Sequence, residues 1–383
     1  MGLAPASLAG LGCEGIFMLI RAKTQNLIQT RELAPEKIAN TKLNIEEMQE
    51  KKLTLNSFPQ RFVFELTNTC NLNCEMCGRN SAAFKATKFN TEWLSKFDQA
   101  AKYAEEVTLM GWGEPTMHPK FTEFLDWANK HGLRKYFCTN GMRLESLAET
   151  ILEKQVDVIA ISLDGANSQT NDSIRRGANF EKIINGIKKI IELKKQNRTK
   201  WPYMNTVTTL MNKNLYELPD IVKLASEIGL EEVKAVYLTA FDEGSKEQIL
   251  YSEQNKINSI FVESENLASS LGIKLKLPHL QGKDPAGDAS HKPCFTAYRD
   301  FFLGSDGFVR PCMSNAAKLF DISKYDSFDK MWNSEEFQNH RKIVNEESLM
   351  SRSCKNCYQS SFANWNKRES FIQTGEKFSP EWE

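Results

Sequence analysis

The chain has 383 residues, 41% of them apolar, with 23 Phe and 7 Trp, enough for a large core and for more than one structural unit. Lysine plus arginine and aspartate plus glutamate each total 49, so the formal charge is zero, which offers no electrostatic case for binding nucleic acid or an anionic membrane. Nine cysteines, an odd number with seven in two groups, speak against a secreted disulfide framework and suit metal ligation in a reducing cytosol, whereas five histidines are too few for a His-based metal centre.

Residues 1–20 are apolar, but Pro5, several glycines and Glu14 break the run, and Arg21 and Lys23 follow it instead of preceding it. A mobile or docking N-terminal extension is expected there, not a signal peptide or a membrane span. Residues 34–55 read as a charged helix whose Ile38, Leu43 and Met48 are too sparse for a strong core face. Pro59 marks the entry to a first strand over 62–66, which runs into a polar, Asn-rich loop. Asn90 caps a helix carrying Trp93, Phe97, Ala100 and Ala104. Further strands are expected over 107–110, 135–138, 156–163, 203–210 and 233–238. Helices are expected between them over 119–131, 144–153, 180–191 and 215–228, the last with Pro219 in its first turn. Beyond residue 240 come a polar helix over about 245–270, an extended run over 273–277 and a Gly/Pro/Asp loop at 282–288 that makes the best domain boundary.

Strand and helix alternating six times imply a parallel sheet with right-handed crossovers, whose site lies at the carboxyl ends of the strands. The polar and glycine-rich motifs all fall at that end. Cys70, Cys74 and Cys77 follow the first strand with C-x3-C-x2-C spacing. Zinc sites close with four ligands, whereas a cubane iron–sulfur cluster on three thiolates leaves one iron open. The residues alone leave unrelated buried cysteines, or a zinc site completed from elsewhere, as alternatives. This spacing resembles the radical S-adenosylmethionine (radical SAM) superfamily, where the open iron is chelated by the cofactor's amino and carboxylate groups.

On that resemblance, Gly111, Gly113 and Glu114 of the G-W-G-E-P turn match the motif that binds the cofactor's methionine amino group, with Trp112 in place of the usual second glycine. Ser162 and Asp164, after the fourth strand, match the polar residues that meet its ribose. Arg175 matches an arginine near its carboxylate, and Arg176 is an adjacent competitor. Asn140 is expected near the site, and His118 reads as structural. Each of these turns, taken alone, is an ordinary turn.

Cys294, Gly307, Cys312, Cys354 and Cys357 form the second group. Four thiolates hold either a structural zinc or a fully coordinated cluster. The C-x9–15-G-x4-C opening resembles the SPASM/twitch auxiliary domains appended to radical SAM barrels. The longer SPASM ligand set is interrupted, since positions 363 and 367 are Ala363 and Lys367. A shorter, twitch-like set for one auxiliary 4Fe–4S cluster is therefore expected.

The resemblance implies a partial (β/α)6 TIM-like barrel with a small C-terminal auxiliary cluster domain. The expected units are an N-terminal extension (1–57), the barrel (58–240), a connecting region (241–290) and the auxiliary domain with its tail (291–383). It also implies reductive cleavage of S-adenosylmethionine to a 5′-deoxyadenosyl radical, which abstracts a substrate hydrogen. With the auxiliary cluster as electron acceptor, the net reaction is oxidation of a small alcohol, sugar or related metabolite. The alternatives are a peptide-modifying enzyme and a zinc-stabilised binding protein without activity. An epimerase would need a hydrogen donor, and Cys138 is the unassigned thiol of the barrel. The expected partners are the substrate, small molecule or peptide, and an electron donor such as flavodoxin or ferredoxin, with neither nucleic acid nor membrane.

Overall fold

A computed structural model describes residues 32–81, 85–238, 243–250, 253–278, 294–312, 317–346, 348–351 and 354. The first 31 residues, the 282–288 loop, Cys357 and the tail lie outside this set. Ten strands form one sheet in the order β10-β9-β8-β1-β2-β3-β4-β5-β6-β7. The six expected strands are β1 (Arg61–Phe64), β2 (Glu106–Leu109), β3 (Arg134–Thr139), β4 (Val158–Ser162), β5 (Tyr203–Leu210) and β6 (Glu232–Tyr237). They pair in parallel, each with the next in sequence. This is the α/β architecture of a partial TIM-like barrel. Among the described residues no helix is long and apolar enough to cross a membrane.

Between the strands, α3 (Phe121–Lys130), α4 (Leu144–Glu153), α6 (Phe180–Gln196) and α7 (Leu218–Glu227) cover the outer face. Phe137, Ile159 and Ile161 meet Phe124, Leu125, Ile151, Ile183 and Ile187 there, all essentially without exposure. Side chains two apart on a strand share a face, so Tyr136, Val158, Ala160 and Tyr203, with Cys138 and Val207 against them, line the concave face instead. The Asn90 segment differs from expectation. Asn90 does cap it, but Thr91–Phe97 winds as a 3-10 helix before the single turn α2 (Asp98–Ala101). The polar helix past 240 is likewise two pieces, α8 (Glu243–Lys246) and α9 (Gln254–Leu271). The short β7 (Lys274–Lys276) then adds to β6.

On the other edge, β8 (Asp300–Leu303) joins β1 in parallel, and β9 (Phe308–Arg310) and β10 (Phe320–Asp321) continue antiparallel. The C-terminal segment therefore extends the barrel sheet and shares its core. Phe301 and Phe328 pack on Phe62 and Phe97 with ring centroids 5.6–6.3 Å apart. After the short α10 (Thr296–Arg299) and α11 (Phe328–Trp332), α12 (Glu335–Ile343) carries Arg341. The Arg341 guanidinium donates to Leu53 O and Ala297 O and lies 4.5 Å from the Trp332 ring, tying this segment to the chain before β1.

The first described helix, α1 (Pro35–Gln49), docks through polar side chains, which is why its apolar pattern is weak. Lys37, Asn40, Asn44 and Glu47 share one face and are all buried. Asn44 donates to Tyr298 O, and Glu47 accepts from Asn56 N and Ser57 N. Lys37 Nζ donates to Ala101 O, Ala104 O and His131 O at 3.1, 2.5 and 3.0 Å, and burial lowers its pKa to about 8. Lys37→Met would leave buried carbonyls without donors, at a cost of about 1–3 kcal/mol. Denaturant unfolding should register it, and an unchanged midpoint would show that α1 does not depend on this contact.

Candidate functional site

Past Phe64 the chain leaves the sheet at its carboxyl edge, and the first residue out is Glu65. Its Oε1 accepts from Trp112 N at 2.8 Å, and its Oε2 from Ser305 N at 3.2 Å and Ser305 Oγ at 2.8 Å. One buried carboxylate thus joins β1, the turn after β2 and the β8–β9 turn. A Cβ on Gly111 would stand 2.3 Å from Glu65 Cγ, and one on Gly113 would stand 2.3 Å from Thr67 O. Both glycines are required because the turn presses against the start of the cysteine loop, and Glu114 N donates to Thr69 O at 2.9 Å.

Glu114 is buried and takes four hydrogen bonds from the protein. Its Oε1 accepts from Thr116 N, Thr116 Oγ1 and Thr139 Oγ1, and its Oε2 from Asn140 N at 2.7 Å. Burial raises its pKa, and these donors act against the rise. Oε2, with one donor, is where a further N–H could be accepted. Asn140 relays the arrangement to the first thiol, donating to Asn71 Oδ1 at 2.8 Å and toward Cys70 Sγ at 3.6 Å. His118 Nε2 lies 3.0 Å from Phe89 O in a buried, structural contact.

The other side of the loop is held by the chain after α5 (Ser168–Ile174). Asn73 N donates to Arg176 O and Glu75 N to Ile174 O, both at 2.9 Å. The Glu75 carboxylate accepts from Lys213 Nζ at 2.7 Å and pairs with Arg176 at 3.4 Å. Arg175 turns inward and pairs with Asp164 at 2.7 Å. Asp164 Oδ1 also accepts from Thr209 N. Burial works against the Arg175 charge, yet Asp164 and the thiols of Cys74 and Cys77 outweigh it and raise its pKa. Ser162 ends β4, partly exposed. Cys138 points to the concave face with its Sγ 2.9 Å from Tyr136 Oη.

Cys70, Cys74 and Cys77 are all partly exposed and free. Burial raises Cys74 to about 11, Arg175 opposes the shift, and Cys70 and Cys77 are close enough to add to it. Among the described residues no three such side chains converge on a single-ion site. Thiolates around one zinc sit about 3.8 Å apart, whereas those of a cubane attach at separate irons and stand wider. Arg79 Nε and Arg175 Nε are buried donors without a hydrogen-bond partner, and both arginines act electrostatically on these thiols. An anionic group bound at the loop would complete them.

Cys294, the first of the second cysteine group, precedes α10 and the amino end of β8, at the opposite edge of the sheet. Cys294 N donates to Asn345 Oδ1 at 2.7 Å, and Cys294 Sγ lies 3.1 Å from Thr296 Oγ1. Burial raises the Cys294 pKa, and the charges of Cys354 and Asp300 add to the rise. Cys312 follows the end of β9 by two residues. Cys357 lies outside the described residues.

Sequence reasoning did not single out Glu65, Glu75, Arg79 or Lys213. A carboxylate directly after an apolar strand was the available signal for Glu65, while the others are ordinary surface charges until the loop is folded.

Comparison with known proteins places these features in families. Residues 64–225 match the radical SAM superfamily, and residues 294–358 match the SPASM iron–sulfur cluster-binding domain. An AdoMet-dependent heme synthase of Methanosarcina barkeri is 26% identical, covering 68% of this chain and 78% of its own length. The antilisterial bacteriocin subtilosin biosynthesis protein AlbA of Bacillus subtilis is 25% identical over 73% of this chain and 61% of its own. Streptococcus suis SuiB bound to S-adenosylmethionine shares the fold with a TM-score of 0.62 at 18% identity, over 88% of this chain and 82% of SuiB. SuiB has also been solved bound to a precursor peptide, SuiA. These matches set aside the zinc-stabilised, non-enzymatic alternative. The radical SAM domain implies a 4Fe–4S cluster with S-adenosylmethionine, and the SPASM domain an auxiliary iron–sulfur cluster.

Glu114→Gln tests the structural share of that residue, because an amide N–H2 would face the Asn140 N–H and cannot accept from it. A loss of about 1–3 kcal/mol is expected in thermal unfolding. Wild-type stability would mean that Glu114 does not organise the turn.

Proposed function

We propose, for a chain that is a radical SAM enzyme with a C-terminal SPASM iron–sulfur domain, a net oxidation of a small alcohol, sugar or related metabolite held in the barrel. When bound, S-adenosylmethionine on its cluster supplies the hydrogen-abstracting radical, and the auxiliary cluster supplies the electron acceptor. The observation that carries this reading is the position of the two thiol groups. Cys70, Cys74 and Cys77 follow the carboxyl end of β1, while Cys294, on which Cys354 and Asp300 act electrostatically, precedes the amino end of its neighbour β8. Four-residue strands span only about 13 Å, so a substrate in the lumen lies between the two groups.

The residues have distinct duties in this reading. Cys70, Cys74 and Cys77 hold the first cluster, and Cys294, Cys312, Cys354 and Cys357 hold one auxiliary cluster. Gly111, Gly113 and Glu114 receive the methionine amino group, Glu114 through its remaining Oε2 lone pair. Arg175, with its unpartnered Nε, faces the carboxylate, and Ser162 and Asp164 serve the ribose side. The concave wall offers a phenol, a thiol and an amide at Tyr136, Cys138 and Asn205, between the small Ala160 and Val207. Such a wall suits a hydroxylated, uncharged substrate. The chemistry consumes an electron, so a reduced flavodoxin or ferredoxin is the proposed donor.

A second reading, modification of a peptide, is favoured by the relative in bacteriocin biosynthesis. Cys138 would be the hydrogen donor if that modification were an epimerisation. Anaerobic incubation with metabolite extracts of the source, against peptide fractions, separates the two by which one stimulates 5′-deoxyadenosine formation.

Cys74→Ala should abolish reductive cleavage of S-adenosylmethionine, because two thiolates cannot hold a cubane with one open iron. Cleavage at the wild-type rate would remove the assignment. Wild-type protein should contain about eight irons in two cubanes, and a soluble Cys354→Ala/Cys357→Ala variant about four, with uncoupled cleavage retained and oxidised product lost. Four irons plus one zinc in the wild type would overturn the auxiliary cluster.

A further inference from the structure

The rim around the first cysteine loop is basic, in a chain whose total charge is zero. Four stretches frame the three thiols. They are the loop itself (68–81), the segment 85–88 laid against it, the residues after α5 (173–177) and the β5–α7 connection (212–214). Contacts place them together: Asn68 Nδ2 donates to Lys85 O at 2.7 Å, Thr87 N donates to Asn68 Oδ1 at 2.8 Å, and Lys88 bridges to Thr67. Arg176 and Lys213 meet the loop at Glu75.

These stretches carry the exposed Lys85, Lys88, Arg176 and Lys213 and the partly exposed Arg79, against the one carboxylate of Glu75, which Arg176 and Lys213 share. Arg175 faces inward and is already paired with Asp164. Lys85 and Lys88 are exposed, and the side chains of Arg176 and Lys213 are 60% and 43% exposed, while Glu75 is only 14% exposed. A partner arriving at this edge therefore meets ammonium and guanidinium groups first. Like charges gathered around one loop repel each other, and an opposite field on a partner relieves that repulsion and steers its approach.

We infer that this rim is the docking surface for a small acidic electron-transfer protein, a low-potential flavin or iron–sulfur carrier. The inference rests on the reading of Cys70, Cys74 and Cys77 as the reducible cluster site. The electron has to enter from outside the chain, and the loop's partly exposed thiols make this edge the short path to them. The acidity of the partner follows from the rim.

The test uses the reconstituted full-length protein, oxidised flavodoxin as the binding probe and a Lys85→Glu/Lys88→Glu variant, since neither side chain holds the loop. Titration of flavodoxin onto the wild type should weaken steeply between ~0.02 M and ~0.3 M salt, as the screening length falls from about 20 Å to about 6 Å. At low salt the variant should bind roughly tenfold more weakly. Reduced flavodoxin should then drive S-adenosylmethionine cleavage more slowly in the variant, while dithionite, which needs no docking, drives both equally. Salt-independent binding, or equal affinities, overturns the proposal. A variant equally impaired with dithionite also overturns it, because the lysines would then act on the cluster site itself. Wild-type protein that cleaves nothing with dithionite would instead fail the radical SAM reading, a separate result.

Discussion

Everything at the candidate site depends on holding an irregular loop still. Cys70, Cys74 and Cys77 lie in a segment with no strand and no α-helix of its own, so their positions come from outside it. The restraint is a set of hydrogen bonds to buried carboxylates and carbonyls: Glu65 on Trp112 and Ser305, Glu114 on Asn140, and Arg176 O and Ile174 O on the loop's own N–H groups. Each is short and buried or nearly so, where an unmade hydrogen bond costs more than a made one contributes. Side chains that complete one another in this way favour a single loop geometry, which fixes where the three thiols stand.

Charge is used differently at the two edges of the sheet. At the carboxyl edge, Asp164 and Arg175 form a buried pair that leaves one guanidinium nitrogen without an acceptor, near the Cys74 thiol, whose burial resists ionisation. At the amino edge, Arg61 and Arg299 converge on Asp300, which is held well below the usual carboxylate range; its burial acts the other way, and the two guanidiniums prevail. Buried pairs of this kind add little net stability, because desolvation offsets the attraction. Their value here is positional. Asp300 also acts electrostatically on Cys294, so the arginine pair sets the charge that this thiol meets.

The sheet connects those two groups. Because β8 pairs with β1, a residue before β8 and a residue after β1 stand at opposite ends of adjacent strands, whatever the sequence distance between them. The phenylalanines of both segments fill one core, so the C-terminal segment has no separate interior of its own among the described residues. A fixed separation between Cys294 and the first cysteine loop follows from shared packing.

Much of this was legible in the sequence. Alternating apolar strands and amphipathic helices require a parallel sheet with its site at the carboxyl edge. The cysteine spacing, the two glycines and the second cysteine group marked out the chemistry before any contact was known. All six barrel strands appear within two residues of expectation, because each is a short apolar run whose period is set by local geometry. What the tertiary structure decided are the relations with no local period. Lys37, Asn40, Asn44 and Glu47 make a docking face from side chains that hydrophobic patterning counts as solvent-exposed. Glu65 became a three-way junction because Ser305, far along the chain, returns to meet it. Lys85, Lys88, Arg176 and Lys213 became one basic rim only when four distant stretches closed around the loop. The pairing of β8 with β1 could not be read in advance either, since a strand of four residues carries no mark of its neighbour. Local periodicity and ligand spacing are written residue by residue, while partner choice among distant segments is settled by the packing of the whole.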